Sequence, residues 1–327
     1  MNAKTSSCVS SYVFSRCTDV AAWDALVDES PQGHVFSKAA FLQSLGVPYT
    51  CYLVTTPQGE VLAGAAILKD GDCMARAPFA FTPHQGILFA SLVAKQSAQK
   101  RLTTEFRITE FMIEALLGAY KNFSMSLSPS FNDLRPFLWH NYDLEGAPKF
   151  EIKHRYTGCV NLKDLVLTDF LATVRTVRRQ EYKKSQVLIQ KTDDLPLFLS
   201  LYKQTFERQG LVIDPSALNL VKNICSKSIF QSSGYLSAAY AGDRVASMAF
   251  FISDSNCAYY LFGANDPNMR DANASSKLLL DNIELSAQKG LRRFDFVGVN
   301  SPQRGDFKLS FNAELVPYQE VHLEAHA

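Results

Sequence analysis

No cysteine pair in this 327-residue chain has C-x-x-C spacing, and the seven cysteines (Cys8, Cys17, Cys51, Cys73, Cys159, Cys225, Cys257) are scattered singly. An odd, dispersed set argues against a disulfide framework and reads as reduced, mostly core thiols. The six histidines form neither H-x-x-x-H nor H-E-x-x-H, so no metal is expected. An excess of one charge is missing too: 33 Lys and Arg face 32 Asp and Glu, a net +1. No global field then draws the chain to DNA or to an anionic membrane, and any basic site must be local. No apolar run is long enough to span a bilayer. The opening MNAKTSSCVSSYVF lacks the apolar core of a signal peptide, so the cytoplasm is the expected compartment.

What is present is an ordinary globular composition, 12% aromatic and 20% charged, on a chain long enough for two cores. Tyr49 to Thr55 and Val61 to Leu68 read as strands joined by the turn Pro57-Gln58-Gly59-Glu60. Phe79 to Leu88 reads as a loop, and Lys100 to Tyr120 as the longest helix, with Leu102, Phe106, Ile113, Leu116 and Leu117 at helical spacing. Further on, Thr168 to Lys184 reads as one helix and Asp194 to Arg208 as another, closed by Gly210. Tyr235 to Tyr240 and Arg244 to Ile252 form a hairpin about Ala241-Gly242-Asp243, and Cys257 to Phe262 is the next strand. Asn273 is expected to cap a helix that Gly290 stops.

The halves echo one another. Gly59-Glu60-Val61-Leu62-Ala63-Gly64-Ala65-Ala66-Ile67 parallels Gly242-Asp243-Arg244-Val245-Ala246-Ser247-Met248-Ala249-Phe250, and Asp133-Leu134-Arg135 parallels Asp306-Phe307-Lys308. Two copies of one mixed α/β unit follow from this, at residues 1–150 and 151–327. The stretch Arg292 to Asn312 organises the second copy. It reads as a buried strand, Arg293 to Gly298, then a polar loop from Asn300 to Gly305, then a short helix holding Phe307 and Lys308. Such a strand end is where α/β proteins place chemistry.

The order strand, two helices, hairpin plus strand, helix, strand, helix, strand resembles the GNAT acyltransferase fold. Two units in tandem resemble the FemAB-like (FemABX) peptidyltransferase family. The residues that carry this are Phe36-Ser37 with Phe41, Thr205-Phe206-Glu207-Arg208-Gln209-Gly210, Tyr259-Tyr260, and Phe294-Asp295-Phe296-Val297-Gly298 with Gly305-Asp306-Phe307-Lys308. The resemblance implies an α/β (α+β) fold of two tandem GNAT-like domains, each a mixed, mostly antiparallel sheet flanked by helices. It implies an acyltransferase that forms an amide on an amino group of a cell-envelope precursor, a peptidoglycan peptide or an amino sugar. The donor would be aminoacyl-tRNA or acyl-CoA, with no tightly bound cofactor, and the partners a lipid- or nucleotide-linked precursor and possibly tRNA. By the same resemblance Lys308, beside Phe307, sits at the acyl-transfer centre in the second domain, and Arg208 contacts substrate phosphate. The family's first-domain lysine and P-R-G-P loop are missing: the chain has Phe41-Leu42-Gln43-Ser44-Leu45 and Pro83-His84-Gln85-Gly86.

Read as residues, these candidates keep two meanings. Lys308 can neutralise a developing oxyanion or be a surface lysine. Arg175, Arg179 and Lys183 would share one stripe of a helix that also holds Arg178, fit for tRNA phosphates or simply solvated. Tyr260 would face opposite to Tyr259 and line an acceptor cleft or pack in the core. Asn265, Asp295 and Asn300 stand at strand ends and can orient an amine, though Asp295, between two phenylalanines, also suits a structural hydrogen-bond acceptor. A GNAT enzyme binds CoA pyrophosphate at a helix N-terminus, here Arg270-Asp271-Ala272-Asn273-Ala274-Ser275; Asn273 holds the glycine position and should hinder close approach. The alternative to an enzyme is a degenerate, non-catalytic transferase binding a phosphate- or nucleotide-bearing ligand.

Overall fold

The computed structural model describes residues 12–324 except 209 and 211, so most of the N-terminal segment read above lies outside the described residues. The chain packs as two units. Among the described residues, one comprises Val47–His154 with those before Ala40 and after Pro317; the other comprises Ala40–Gly46 and Arg155–Pro317.

In the first unit the hairpin of Tyr49–Thr55 and Val61–Asp70 is flanked by Val13–Cys17 on one edge, all antiparallel. The chain read as a loop from Phe79 to Leu88 ends in a short strand, Ile87–Phe89, that pairs with Ala63, Gly64 and Ala65. Its three residues are wholly buried, so an apolar triplet too short to show periodicity was drawn in by the sheet edge. Helix Ala98–Ala119 buries Ile108, Met112, Ile113 and Leu116, one face at three- and four-residue spacing, in a single core with Phe89 and Phe123. Each such side chain contributes about 1.5–3 kcal/mol by leaving water.

The second unit repeats the hairpin as Gly234–Ala241 and Arg244–Ser253. Its sheet runs Glu151–Asn161, Arg293–Asp295, Cys257–Asn265, Arg244–Ser253, Gly234–Ala241 and Leu188–Thr192. The pair Cys257–Asn265 with Arg293–Asp295 is parallel, and helix Ala274–Gln288 makes the crossover between them. The other neighbours are antiparallel. That helix puts Leu279 and Ile283 into a core with Phe251, Phe294, Phe296 and Phe311.

The single helix expected from Thr168 to Lys184 is two, Leu167–Thr173 and Thr176–Lys184. The break falls at Val174, which is extended, and Arg175, which is not helical, where the Arg175 backbone N–H donates to Ser310 O rather than continuing a helical ladder. Val174 is buried at the break, so burying one branched side chain interrupted a segment that its charged residues made look continuous.

Candidate active site

The parallel pair is short by construction. Cys257, Ala258 and Tyr259 are matched to Arg293, Phe294 and Asp295, and then the partner strand ends. From Tyr260 to Asn265 the longer strand continues with that edge uncovered by any strand among the described residues. A β-bulge sits at the parting: Phe250 faces Phe262 but Phe251 faces Tyr260, which leaves Leu261 unpaired. The bulge breaks the expected alternation. Tyr260 packs with Phe251 and Phe296, whereas Phe262 stacks on Phe250 and meets Tyr202. Gly263 makes room for the tyrosine, since a Cβ there would lie 1.9 Å from the Tyr260 hydroxyl.

The chain leaving Asp295 turns sharply back. Val297 and Gly298 are both left-handed, with φ of 50° and 58°. A β-branched residue in that region is strained by roughly 1–3 kcal/mol. Asp295 accepts the Val297 N–H at 2.7 Å on the same carboxylate oxygen that takes the Thr157 hydroxyl. The turn aims two carbonyls at one cation: Lys308 Nζ donates to Val297 O and, at 3.3 Å, to Gly298 O. Lys308 comes from helix Pro302–Leu309, which packs so tightly on the turn that a Cβ on Gly305 would lie 2.4 Å from Val299 O. Nζ also stands 5.7 Å from the Tyr260 ring centroid. Burial pulls the Lys308 pKa down to about 8; Asp295 opposes this and Arg304 adds to it. The ammonium therefore titrates near neutrality while held by carbonyls that cannot take its proton.

Lys308 lies in a groove of about 380 Å³ along the uncovered edge, between helix Leu195–Glu207 and helix Pro302–Leu309. Phe307, Arg208, Tyr260 and Asn265 line it with Lys308, so five of the residues singled out in the sequence meet here. Arg208 is the C-cap of its helix. Asn265 receives the Ser275 hydroxyl at 2.5 Å, and its N–H donates to the Thr205 hydroxyl at 3.3 Å. Burial raises the Tyr260 pKa to about 12, so its hydroxyl remains a donor.

Asp295 and Asn300 do not line this groove. Asp295 is buried under its own hydrogen bonds, and burial raises its pKa in spite of them. Asn300 staples the loop, accepting from Tyr156 N at 2.8 Å and donating to Tyr156 O at 2.9 Å. The basic stripe also differs from expectation. Arg175 stands outside the helix as its N-cap and forms a bidentate pair with Asp306 at 2.8 and 2.9 Å. Arg178 is neutralised by Glu181 at 2.6 Å, bonds the Ser276 hydroxyl at 3.0 Å and lies over the Phe307 ring. Arg179 donates to Ala172 O, and Lys183 is exposed.

A second groove of about 350 Å³ shares Arg208, Asn265 and Phe307 with the first and runs to the N-terminus of helix Ala274–Gln288. Asn273 does not cap that helix with its side chain, as the sequence implied. It takes the left-handed conformation, φ 53°, that a glycine would take, and its amide donates to Asp271 O at 3.1 Å. Asparagine tolerates this conformation better than other side chains. The first-turn N–H groups are thus left without a side-chain acceptor at the N-cap, which favours an anion there.

Sequence reading passed over Tyr202, Gln303 and Arg304, which also line these walls with Ser275 of the candidate pyrophosphate loop. Arg304 had a signal: four residues before Lys308, it lies on the same face of one helix. Among the described residues no group of three or more His, Cys, Asp and Glu is placed to hold a metal, and no helix is long and apolar enough to cross a membrane.

In the first unit the corresponding turn, Asp133-Leu134-Arg135, is paired within itself. Arg135 is clamped by Asp133 at 2.8 and 2.6 Å and lies over Phe106 and Trp139. His84 is wholly buried, its pKa pushed down to about 4 by desolvation.

Residues 170–309 match the family model described as an acetyltransferase (GNAT) domain. No curated protein matches the sequence. Among solved structures the chain is similar to FemX, with 13% identity over 94% of this chain and 96% of that one and a TM-score of 0.67. It is similar to a tandem GNAT protein from the clavulanic acid biosynthesis pathway, with 12% identity over 97% and 99% and a TM-score of 0.55. It is also similar to the C-terminal domain of a putative lysylphosphatidylglycerol synthetase from Agrobacterium fabrum, with 10% identity over 94% and 92% and a TM-score of 0.53. At such identities the likeness is one of fold, and that fold is the one the sequence pointed to: tandem GNAT units of mixed, mostly antiparallel sheet flanked by helices.

Proposed function

We propose that this tandem GNAT-fold chain, with its GNAT acyltransferase domain at residues 170–309, forms an amide by moving an acyl group from a phosphate-bearing thioester carrier of the acyl-CoA class to an amine. The observation that carries the reading is Lys308, held by two backbone carbonyls beside an uncovered strand edge. The acceptor nitrogen attacks the acyl carbon; the C–N bond forms, the C–S bond breaks, and the amine proton leaves with the thiolate or to solvent. Negative charge collects on the acyl oxygen between these events. The half-buried ammonium of Lys308, with one N–H left beyond its two carbonyl partners, stabilises that charge more than water does, an effect worth about 10²–10³ in rate for a single donor.

The acyl-CoA reading is preferred over aminoacyl-tRNA on two observations. The second groove, lined by Arg178, Arg208 and Arg270 against Glu181 and Asp266, ends at a helix N-terminus whose first turn lacks a side-chain cap, a place for a phosphate. The basic helix has less free charge than its sequence promised, because Arg175 and Arg178 are paired to acids. The proposed acceptor is an amino group of an envelope precursor, a peptidoglycan peptide or an amino sugar, lipid- or nucleotide-linked. This rests on likeness in fold to FemX and to the lysylphosphatidylglycerol synthetase domain. A non-catalytic binding role is the second reading; the clamped Arg135 of the first unit favours it.

The test incubates the full chain with acetyl-CoA, succinyl-CoA or charged tRNA and a panel of amino sugars and peptidoglycan peptides, and measures amide product by mass. Product from a thioester, lost in Lys308→Ala, supports the proposal. Product from charged tRNA alone transfers the donor assignment, and ligand binding without turnover in either protein leaves the non-catalytic role standing.

A further inference from the structure

The groove around Lys308 is charged in one sign only. Arg208, Arg304 and Lys308 line it, and no aspartate or glutamate among the described residues does. Some exposed arginines of this unit are answered, Arg175 by Asp306 and Arg244 by Asp266, while Arg270, Arg292 and Arg293, outside this groove, form no ion pair among the described residues. Arg304 is exposed and forms no ion pair among the described residues. Its place in the fold does not explain it either. It stands in the first turn of helix Pro302–Leu309, where the positive end of the helix dipole meets it and where an acidic residue would be stabilising. It also works against its neighbour, helping to hold the Lys308 pKa down from one turn away. A residue that costs the helix and its neighbour something, yet is left unanswered in a groove, matches the local rule-breaking found where a ligand completes the set.

We infer that the Lys308 groove takes a substrate bearing a carboxylate next to its reacting centre, and that Arg304 is the residue that reads it. The planar guanidinium offers paired donors that match a carboxylate. Arg208, which also lines the groove, is the C-cap of its helix, where the dipole already accounts for a cation, so the discriminating role falls to Arg304. A free α-ammonium on the transferred group has no counter-charge here, in keeping with a neutral or acidic acyl group. The inference rests on the transferase reading for the phrase "reacting centre" alone; the binding preference stands without it. The carboxylate has two sources, the acyl group or the amine acceptor.

Two matched pairs separate the sources: succinyl-CoA against butyryl-CoA, and L-alanine against L-alaninamide. Each is titrated calorimetrically into the full chain, wild type, Arg304→Gln and Arg304→Lys, with thermal melts to establish that the exposed substitutions leave the fold intact. A charge-assisted contact predicts that the acidic member of one pair binds about ten- to a hundredfold tighter than its neutral partner. Arg304→Gln abolishes that preference and Arg304→Lys keeps part of it. Preference in the first pair assigns the carboxylate to the acyl group, and in the second to the acceptor. Equal binding within both pairs, no binding at all, or a preference that survives Arg304→Gln overturns the inference. Amide product is measured on the same samples. Preference without product sinks the transferase reading but not this one; product made equally well from both members of each pair does the reverse.

Discussion

Replacing Lys308 by methionine tests the groove without any knowledge of substrate. Burial lowers the Lys308 pKa from the usual 10.5 to about 8, so the folded protein gives up this proton more easily than the unfolded chain does. Between those values the unfolded state binds more protons, and stability rises with pH. At about 1.36 kcal/mol per pH unit, the wild type gains about 2 kcal/mol from this group between pH 7 and pH 9.5. Methionine has a similar length and no proton, so its variant lacks that gain, while groups not coupled to Lys308 titrate alike in both proteins and cancel. At pH 7 the methionine also leaves Val297 O and Gly298 O without their donor, at a cost of about 1–3 kcal/mol, offset by release from burying a charge. The sign at pH 7 is therefore a contest of near-equals, but the pH dependence of the difference is not. Urea unfolding of both proteins at pH 7, 8, 9 and 9.5 yields it directly. A difference that stays constant across that range refutes the picture of a desolvated ammonium.

Two further perturbations probe the frame. Gly305→Ala puts a methyl group 2.4 Å from Val299 O, a clash with rigid backbone. We expect a loss of about 2–3 kcal/mol in chemical denaturation, with activity falling alongside as helix Pro302–Leu309 shifts; unchanged stability would show that the turn is looser than described. In the first unit, His84 has its pKa lowered from 6.5 to about 4, so the unfolded state binds the extra proton between those values. Stability contributed by neutral His84 is present above about pH 6.5 and is lost as pH falls toward 4, by about 3 kcal/mol in full. His84→Phe should flatten that part of the acid-unfolding curve, and an identical acid midpoint in both proteins would count against a buried neutral imidazole.

Much of the fold was legible in the chain because it is written in local terms. The hairpins announce themselves by alternation around Pro57-Gln58-Gly59-Glu60 and Ala241-Gly242-Asp243, and Gly59 and Gly242 take the positive φ those turns need. The echo between the two hairpins and the Phe307-Lys308 pair were enough to expect tandem GNAT units, and Lys308, Phe307, Arg208, Tyr260 and Asn265 do meet in one groove. Tertiary structure decided what depends on partners distant in sequence. Whether Arg175 belongs to a basic stripe turns on Asp306 and Ser310, more than 130 residues away. Whether Asn273 caps its helix turns on a left-handed backbone that composition does not specify. The bulge at Leu261 leaves Tyr260 opposite to Tyr259 but separates it from Phe262, because a sheet can absorb an extra residue where its neighbour stops. Arg304 became visible as a candidate only once its surroundings were known, since a charge is informative by the acids that fail to answer it. Residue type and spacing set the elements; the identity of a site follows from which charges the fold leaves unpaired, and that is a property of three dimensions.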